Sequence, residues 1–244
     1  MISKEKQCHI DDKRKQEVIR AHYDDAYYAP LVDSYRRMDR FTRYRIEKVF
    51  EIYMPKKGER VLDLGCGVGT ISLELAKRGI DVIGLDYSQQ AINICRSLSR
   101  ELHLSVEFAL ADATSTGFPP TSFDVVFCAD LVEHLYPEIF KSLISETKRI
   151  LKVGGKFIIW TPNPGHIIEF LKKRNMILKR DEGHVGYRTL RELRENLQEQ
   201  GFRIDKAYHR ESHLPIFYLL ERLFQRIIPL MRRRNAVLAT KLQV

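Results

Sequence analysis

Several things are scarce or missing in this chain, and each absence removes a class of protein. Its four cysteines, Cys8, Cys66, Cys95 and Cys128, are scattered and form no Cys-x-x-Cys pair. That spacing argues against a cysteine zinc site or a disulfide framework and for a reducing compartment. No apolar run approaches the roughly 18 residues that a membrane-crossing helix needs, so the chain is expected not to span a bilayer. Met1 to Arg20 carry charge throughout, and no secretory signal is visible there; the expected location is cytoplasmic. Internal repeats and low-complexity segments are also lacking.

What is present fits one globular unit. The 244 residues can bury a sizeable core, and 44% hydrophobic with 30% charged residues is ordinary for a soluble protein. A net charge of +9 suits an anionic partner such as nucleic acid, an acidic membrane surface or an acidic substrate, or else a solvated basic surface. We expect a single domain over residues 1–244, with a helical N-terminal cap at 1–57, a ligand-binding core at 58–161, and cap helices with the last two strands at 162–244.

The core is read from alternation. Ile46, Val49, Phe50 and Tyr53 form a helical stripe that Pro55 and Gly58 end. Val61–Leu64 then reads as a strand, Ile71–Lys77 as a helix and Asp81–Leu85 as a strand, and Ser88 caps a helix bearing Ala91, Ile92, Ile94 and Cys95. Strands follow at Val106–Leu110 and Phe123–Cys128. A helix carries Phe140, Leu143, Ile144 and Ile150, and Gly154-Gly155 turn the chain into the strand Lys156–Trp160. Strands and helices alternating at this spacing predict an α/β fold, a doubly wound, mostly parallel sheet. Later come a helix from Thr189 to Gln200, a strand at Phe202–Tyr208, an apolar stripe from Ile216 to Met231 closed by Arg232-Arg233-Arg234, and a last strand at Ala236–Leu242.

Gly65, Gly67 and Gly69 sit where the first strand turns into a helix. In an open α/β sheet a small molecule binds outside the carboxyl ends of the strands, and glycine lets the backbone approach it. A dinucleotide fingerprint would need glycine where Thr70 stands, which speaks against NAD. Asp86 ends the second strand, where a carboxylate can accept both ribose hydroxyls.

Taken together, Asp63 before the first glycine, Asp86, Asp112-Ala113, Phe123-Asp124-Val125-Val126 and Leu151-Lys152-Val153-Gly154-Gly155 resemble the class I S-adenosylmethionine-dependent methyltransferases. The resemblance is strong over about Arg45 to Thr161. It implies a seven-stranded Rossmann-like sheet whose last strand is antiparallel, and S-adenosylmethionine as cofactor. It also implies residue roles. Asp63 through Gly69 would pass the methionine part, Asp86 would hold the ribose hydroxyls, Tyr87 would stack on the adenine, and Asp112 with Ala113 would meet its amino group. Cys66, Ala129 and Asp130, in the same loops, complete the implied cofactor-binding set.

Within that family the chain is similar to the O-methyltransferases of ubiquinone biosynthesis. Arg45 stands 20 residues before Gly65, where that subfamily has an arginine for the cofactor carboxylate, a pairing that can be bidentate. Asp130-Leu131-Val132-Glu133-His134 matches a stretch used there to bind magnesium, with Asp130 in place of a glutamate, so Asp130, Glu133 and His134 are implied Mg2+ ligands. His134 has two further readings: a general base or substrate contact, or a hydrogen-bonded residue shaping the site. His184, in Gly183-His184-Val185, is a second candidate base. The subfamily also has an interfacial segment after the fifth strand, and Gly165–Arg180 is apolar with interleaved basic residues. Peripheral contact at an anionic, cytoplasmic membrane face is therefore one reading for it. For Ile216–Met231 a stripe packed on the core is preferred over a membrane face.

The expected reaction is methyl transfer by in-line displacement to a small-molecule or lipid-like acceptor, at a hydroxyl oxygen. RNA or protein acceptors are the alternative. Nucleic acid is disfavoured because the Asn/Asp-Pro-Pro-aromatic run and the Pro-Cys nucleophile of base-methylating enzymes are missing. A non-enzymatic binding protein is the remaining, weakest reading. The chain carries no signal for its oligomeric state.

Overall fold

The computed structural model describes residues 25–173, 183–212, 215–225 and 227–243. The expectations for Met1–Arg20 and for the stretch 174–180 lie outside these residues. Within them, the elements run α1 (Asp25–Arg37), α2 (Arg40–Ile52), β1 (Arg60–Leu64), α3 (Thr70–Ala76), β2 (Asp81–Asp86), α4 (Gln89–Glu101), β3 (Glu107–Leu110) and β4 (Phe123–Ala129). A 3-10 turn (Val132–His134) follows, then α5 (Pro137–Ile150), β5 (Leu151–Pro162), α6 (Ile167–Lys173), α7 (Leu190–Glu199), β6 (Phe202–Arg210), α8 (Pro215–Phe224) and β7 (Arg234–Lys241).

The strands form one seven-stranded sheet in the order β3-β2-β1-β4-β5-β7-β6. β1 pairs in parallel with both β2 and β4, so the order reverses between β1 and β4, where this class of sheet opens a crevice. β7 is antiparallel to β5 and to β6. This is the expected class I methyltransferase fold, with the antiparallel last strand inserted between the fifth and sixth.

Two apolar layers explain why the chain closes this way. Side chains on a strand alternate between faces. Leu62 and Leu64 of β1, Val126 and Cys128 of β4, and Phe157 and Ile159 of β5 face the core that α5 and α7 cover with Phe140, Leu143, Leu193 and Leu197. Val61, Val125, Phe127, Ile158 and Trp160 face the other way, against Val49 and Ile52 of α2 and Ile71 and Leu75 of α3. The α2 stripe read from Ile46 onward is thus a true packing face, and Asp39 caps the helix by accepting from Thr42 N at 2.7 Å.

Two expectations change. Gly154-Gly155 do not precede the fifth strand; they lie inside β5 as an irregularity, where Leu151 pairs with Phe123 but Lys156 already pairs with Val125. The second change concerns the stripe from Ile216. α8 ends at Phe224 and a short 3-10 turn begins at Pro229, a residue without the N–H that a continuing helix needs. Nor does the stripe pack on the core: Leu219, Leu223 and Ile227 are 59%, 62% and 78% exposed. The basic triplet does not close a helix either, since Arg234 opens β7. No helix among the described residues is long and apolar enough to cross a membrane.

Candidate active site

The crevice is built first by the turn after β1. Gly65, Gly67 and Gly69 all take positive φ, at 75°, 55° and 78°. The turn is stitched to the end of β2: Gly65 N and Cys66 N donate to Leu85 O at 2.8 and 2.9 Å, and Gly67 N donates to Asp86 Oδ2 at 2.9 Å. A Cβ on Gly67 would meet no protein atom within 4 Å, so a ligand can lie directly on this backbone. Asp86 also accepts from Ser88 N at 2.9 Å. Asp112, after β3, accepts from Thr114 N and Oγ1 at 2.7 Å each.

These loops surround a cavity of about 360 Å3, within the usual size of a small-molecule site. Arg45, Gly65, Cys66, Gly67, Asp86, Tyr87, Asp112, Ala113, Ala129 and Asp130 line it, with Glu133, His134 and His184 toward the same space. The chemistry suits S-adenosylmethionine: carboxylates for hydroxyl and amine donors, an aromatic ring, an arginine and an open glycine backbone. Two expected contacts are not brought there. Asp63 is buried under the turn, where its Oδ2 accepts from Ser72 N and Oγ at 3.0 and 2.6 Å and so anchors the first turn of α3. Burial pushes its carboxyl above the usual range. Gly69 is the residue before α3, and its left-handed backbone (φ 78°), with a Cβ there 3.0 Å from Cys95 Sγ, accounts for glycine without a ligand.

Asp130 is held by two arginines from distant parts of the chain. Arg45 Nε on α2 donates to Oδ2 at 2.6 Å, and Arg234 Nη1 on β7 donates to Oδ1 at 2.5 Å. Burial opposes the charge, but Arg234 and Arg45 outweigh it and hold the carboxyl below its usual range. Asp130 also has φ of 58°, a costly conformation for a non-glycine residue that its neighbours must enforce. These pairings correct the expected magnesium set. Both Asp130 oxygens are engaged, and among the described residues the ligand atoms that converge belong to Glu133, His134 and His184. One carboxylate and two imidazoles do not suit Mg2+, which takes oxygen ligands in octahedral geometry.

Two loops bring that trio together. The 3-10 turn is tied to the segment before α7 by Gly186 N, which donates to Glu133 O at 2.8 Å, and by Arg188, whose Nη1 and Nη2 donate to Val132 O and Leu135 O at 2.5 and 2.8 Å. A Cβ on Gly186 would lie 1.9 Å from Leu135 O, so only glycine permits this approach. Glu133 is 1% exposed and accepts from Thr161 Oγ1 at 2.9 Å. Burial, then the neighbouring Asp130 charge, pushes its carboxyl up to about 8. The rings of His134 and His184 meet edge to face with centroids 4.6 Å apart.

Hydrogen bonds set the tautomers. His134 Nδ1 lies 3.1 Å from Gly183 O, a carbonyl that can only accept, so Nδ1 carries the proton and Nε2 the lone pair of the neutral ring. His184 Nδ1 is 2.7 Å from Tyr187 Oη, which donates its own proton to Glu169 Oε2 at 2.5 Å. Tyr187 therefore accepts from His184, again leaving the lone pair on Nε2. Burial disfavours the Glu169 charge, but Tyr187 and Arg233, with Lys172, more than offset it and hold the carboxyl at about 2.

Arg234, Arg188, Tyr187 and Glu169 were not anticipated as site residues. Arg234 was hidden in a basic triplet that reads as a helix end. Nothing local marks Tyr187 or Glu169, which are 18 positions apart.

The methyltransferase domain family matches residues 61–155. Over 129 residues the chain is 35% identical to phosphoethanolamine N-methyltransferase 3 of Arabidopsis thaliana, covering 49% of this chain and 25% of that protein. Over 107 residues it is 36% identical to the ubiquinone biosynthesis O-methyltransferase of Idiomarina loihiensis, covering 43% of each. The chain thus spans less than half the length of these curated relatives. A solved structure of a SAM-dependent methyltransferase from Archaeoglobus fulgidus aligns with a TM-score of 0.66 and 25% identity over 88% of this chain and all of that one.

Proposed function

Because the chain belongs to the class I S-adenosylmethionine-dependent methyltransferases, we propose that it transfers the cofactor's methyl group to a small-molecule or lipid-like acceptor, at a hydroxyl oxygen. The observation that carries this reading is one cavity with two chemistries. One side is glycine backbone and carboxylates; the other holds two imidazoles whose lone pairs sit on Nε2.

When bound, S-adenosylmethionine supplies a sulfonium methyl, already a good electrophile. The protein's part is placement and proton removal. Asp86 and Asp112 suit the ribose hydroxyls and the adenine amino group, Tyr87 the ring, and Arg45 the carboxylate. A hydroxyl acceptor attacks well only as its proton leaves, and His134 or His184 can take that proton at Nε2. The Glu169–Tyr187 pair keeps the Nδ1 side of His184 oriented and balances the imidazolium charge. Holding acceptor and donor in line supplies much of the rate enhancement.

An exposed apolar surface supports the lipid-like version. Ile167 and Phe170 of α6 and Leu219, Leu220, Leu223 and Phe224 of α8 are exposed, and the two helices are joined where His166 Nε2 meets Glu221 Oε1 at 2.9 Å. With a net charge of +9, such a face suits an anionic bilayer interface. Curated relatives include both an O- and an N-methyltransferase by name; the base pair of histidines is our reason for favouring oxygen.

Labelled S-adenosylmethionine offered with lipid, small-molecule and RNA fractions tests the reading. Label is expected in a lipid or small-molecule fraction, as a base-stable ether. Label in RNA or protein alone, or no binding of S-adenosylmethionine by calorimetry, would overturn it.

A further inference from the structure

The lack of paired cysteines argues only against a thiolate metal site. Glu133, His134 and His184 each offer a ligand atom, and these atoms lie within 4.8 Å of one another. All three residues line the cavity. In a tetrahedral site with bonds of about 2.1 Å, ligands stand about 3.4 Å apart, so small side-chain rotations suffice to close on an ion.

The surroundings are those of a ligand set and not of a chance cluster. Metal-binding histidines ordinarily donate their second ring N–H to a carbonyl or carboxylate, which fixes the tautomer and raises basicity. His134 does so to Gly183 O at 3.1 Å, and His184 does so through Tyr187 to Glu169. Glu133 is a buried carboxylate beside the charged Asp130, and a cation at its oxygens would offset that repulsion. Asp130 itself is committed to Arg45 and Arg234 and takes no part.

We propose that Glu133, His134 and His184 form a binding site for a borderline divalent ion of the Zn2+ class, in place of the magnesium set that the resemblance implies. Two nitrogens and one oxygen, with a fourth position facing the cavity, are the donor set such ions prefer and Mg2+ does not. The inference rests on reading this side of the cavity as the acceptor side. With an ion bound the two imidazoles would serve as ligands and not as bases, and the ion would supply the acidity instead, letting a coordinated acceptor hydroxyl lose its proton to solvent.

The test uses the full chain, stripped with a chelator and titrated with Co2+ as a spectroscopic probe, then with Zn2+ and Mg2+. One equivalent of Co2+ is expected, with visible bands of low-symmetry four- or five-coordination that Zn2+ erases and millimolar Mg2+ does not. His184→Ala should weaken Co2+ at least 100-fold. Tyr187→Phe, which keeps every ligand, should weaken it about 10-fold. S-adenosylmethionine affinity measured on each variant verifies folding. Absent Co2+ binding, or Co2+ bound equally by His184→Ala, overturns the metal site while leaving methyl transfer with histidine bases intact. Loss of S-adenosylmethionine binding in the unaltered chain would instead strike the function itself.

Discussion

The two sides of the cavity are assembled in different ways. The donor side is local: Gly67 reaches Asp86 over 19 positions, Ser72 reaches Asp63 over 9, and Ser88 reaches Asp86 over 2. The wall that carries Asp130, His134 and His184 is stitched across the chain. Arg234 reaches Asp130 over 104 positions, Arg45 reaches it over 85, and His134 meets Gly183 over 49. Tyr44 on α2 donates to the Glu211 carbonyl, 167 positions away. A site made from consecutive strand ends depends mainly on the sheet forming. One made from distant segments depends on β7, α2 and the 183–189 loop all docking, and should fail more readily when one tie is cut.

The sharpest way to break this comparison is at Arg234. Its pair with Asp130 is largely shielded from water, with side-chain exposures of 9% and 23%. Arg234→Ala leaves the half-buried Asp130 beside Glu133 but still paired with Arg45, so what is lost is one charge-assisted hydrogen bond, about 1.5–3 kcal/mol. Urea unfolding should show a loss of that size. A loss below about 1 kcal/mol would mean that this wall of the cavity does not rest on the bridge.

On the donor side the matching substitution is Asp86→Ala. It removes the acceptor for Gly67 N and Ser88 N, and charge-assisted hydrogen bonds of this kind are each worth about 1.5–3 kcal/mol. S-adenosylmethionine affinity by calorimetry is expected to fall about 100-fold, near 2.7 kcal/mol, with the fold retained. Unchanged affinity would remove Asp86 from the cofactor site.

A third effect is pH-dependent. The Glu133 carboxyl lies at about 8 in the folded chain, against roughly 4.3 when unfolded. Between those values the folded state binds the extra proton, so this group's contribution to stability falls as pH rises and is gone above 8. In chelator-treated protein, Glu133→Gln should therefore gain on the unaltered chain by about 1–2 kcal/mol between pH 5 and pH 8, less than full linkage would give because Asp130 shares the field. A difference that does not change with pH would show that Glu133 stays ionised. Added Zn2+ should reverse the sign for the unaltered chain, since ligand deprotonation then favours binding.

These contrasts also explain how much could be read from residues alone. The alternation of β1, β2 and β4, the Ser88 cap and the Gly65–Gly69 turn follow from short-range patterns and are legible to within a residue or two, whereas β5 starts five residues before the expected Lys156 because the glycine pair reads as a turn. Asp63 was misplaced because a carboxylate before a glycine turn can face a ligand or cap α3, and only the packed turn decides. Asp130 was misassigned because its partners are remote: nothing near it announces Arg234. His184 is singled out by its loop and lines the cavity, but its tie through Tyr187 to Glu169 needs α6 and the 183–189 loop side by side. The stripe from Ile216 failed for another reason. Its period is helical, but period says which residues share a face, not what covers that face.

That last point yields the smallest predicted effect, and the cleanest. Leu143 on α5 is fully buried, and Leu143→Ala should cost about 2–5 kcal/mol. Leu223 and Ile227 belong to an equally regular apolar pattern but are 62% and 78% exposed, and surface substitutions usually stay within about 0.5 kcal/mol. Leu223→Ser and Ile227→Ser should therefore leave the urea midpoint nearly unchanged in the isolated chain. If they destabilise by 2 kcal/mol or more, the stripe is packed after all. If they are neutral in solution yet reduce flotation with anionic liposomes, the apolar face is retained for an interface and not for the fold.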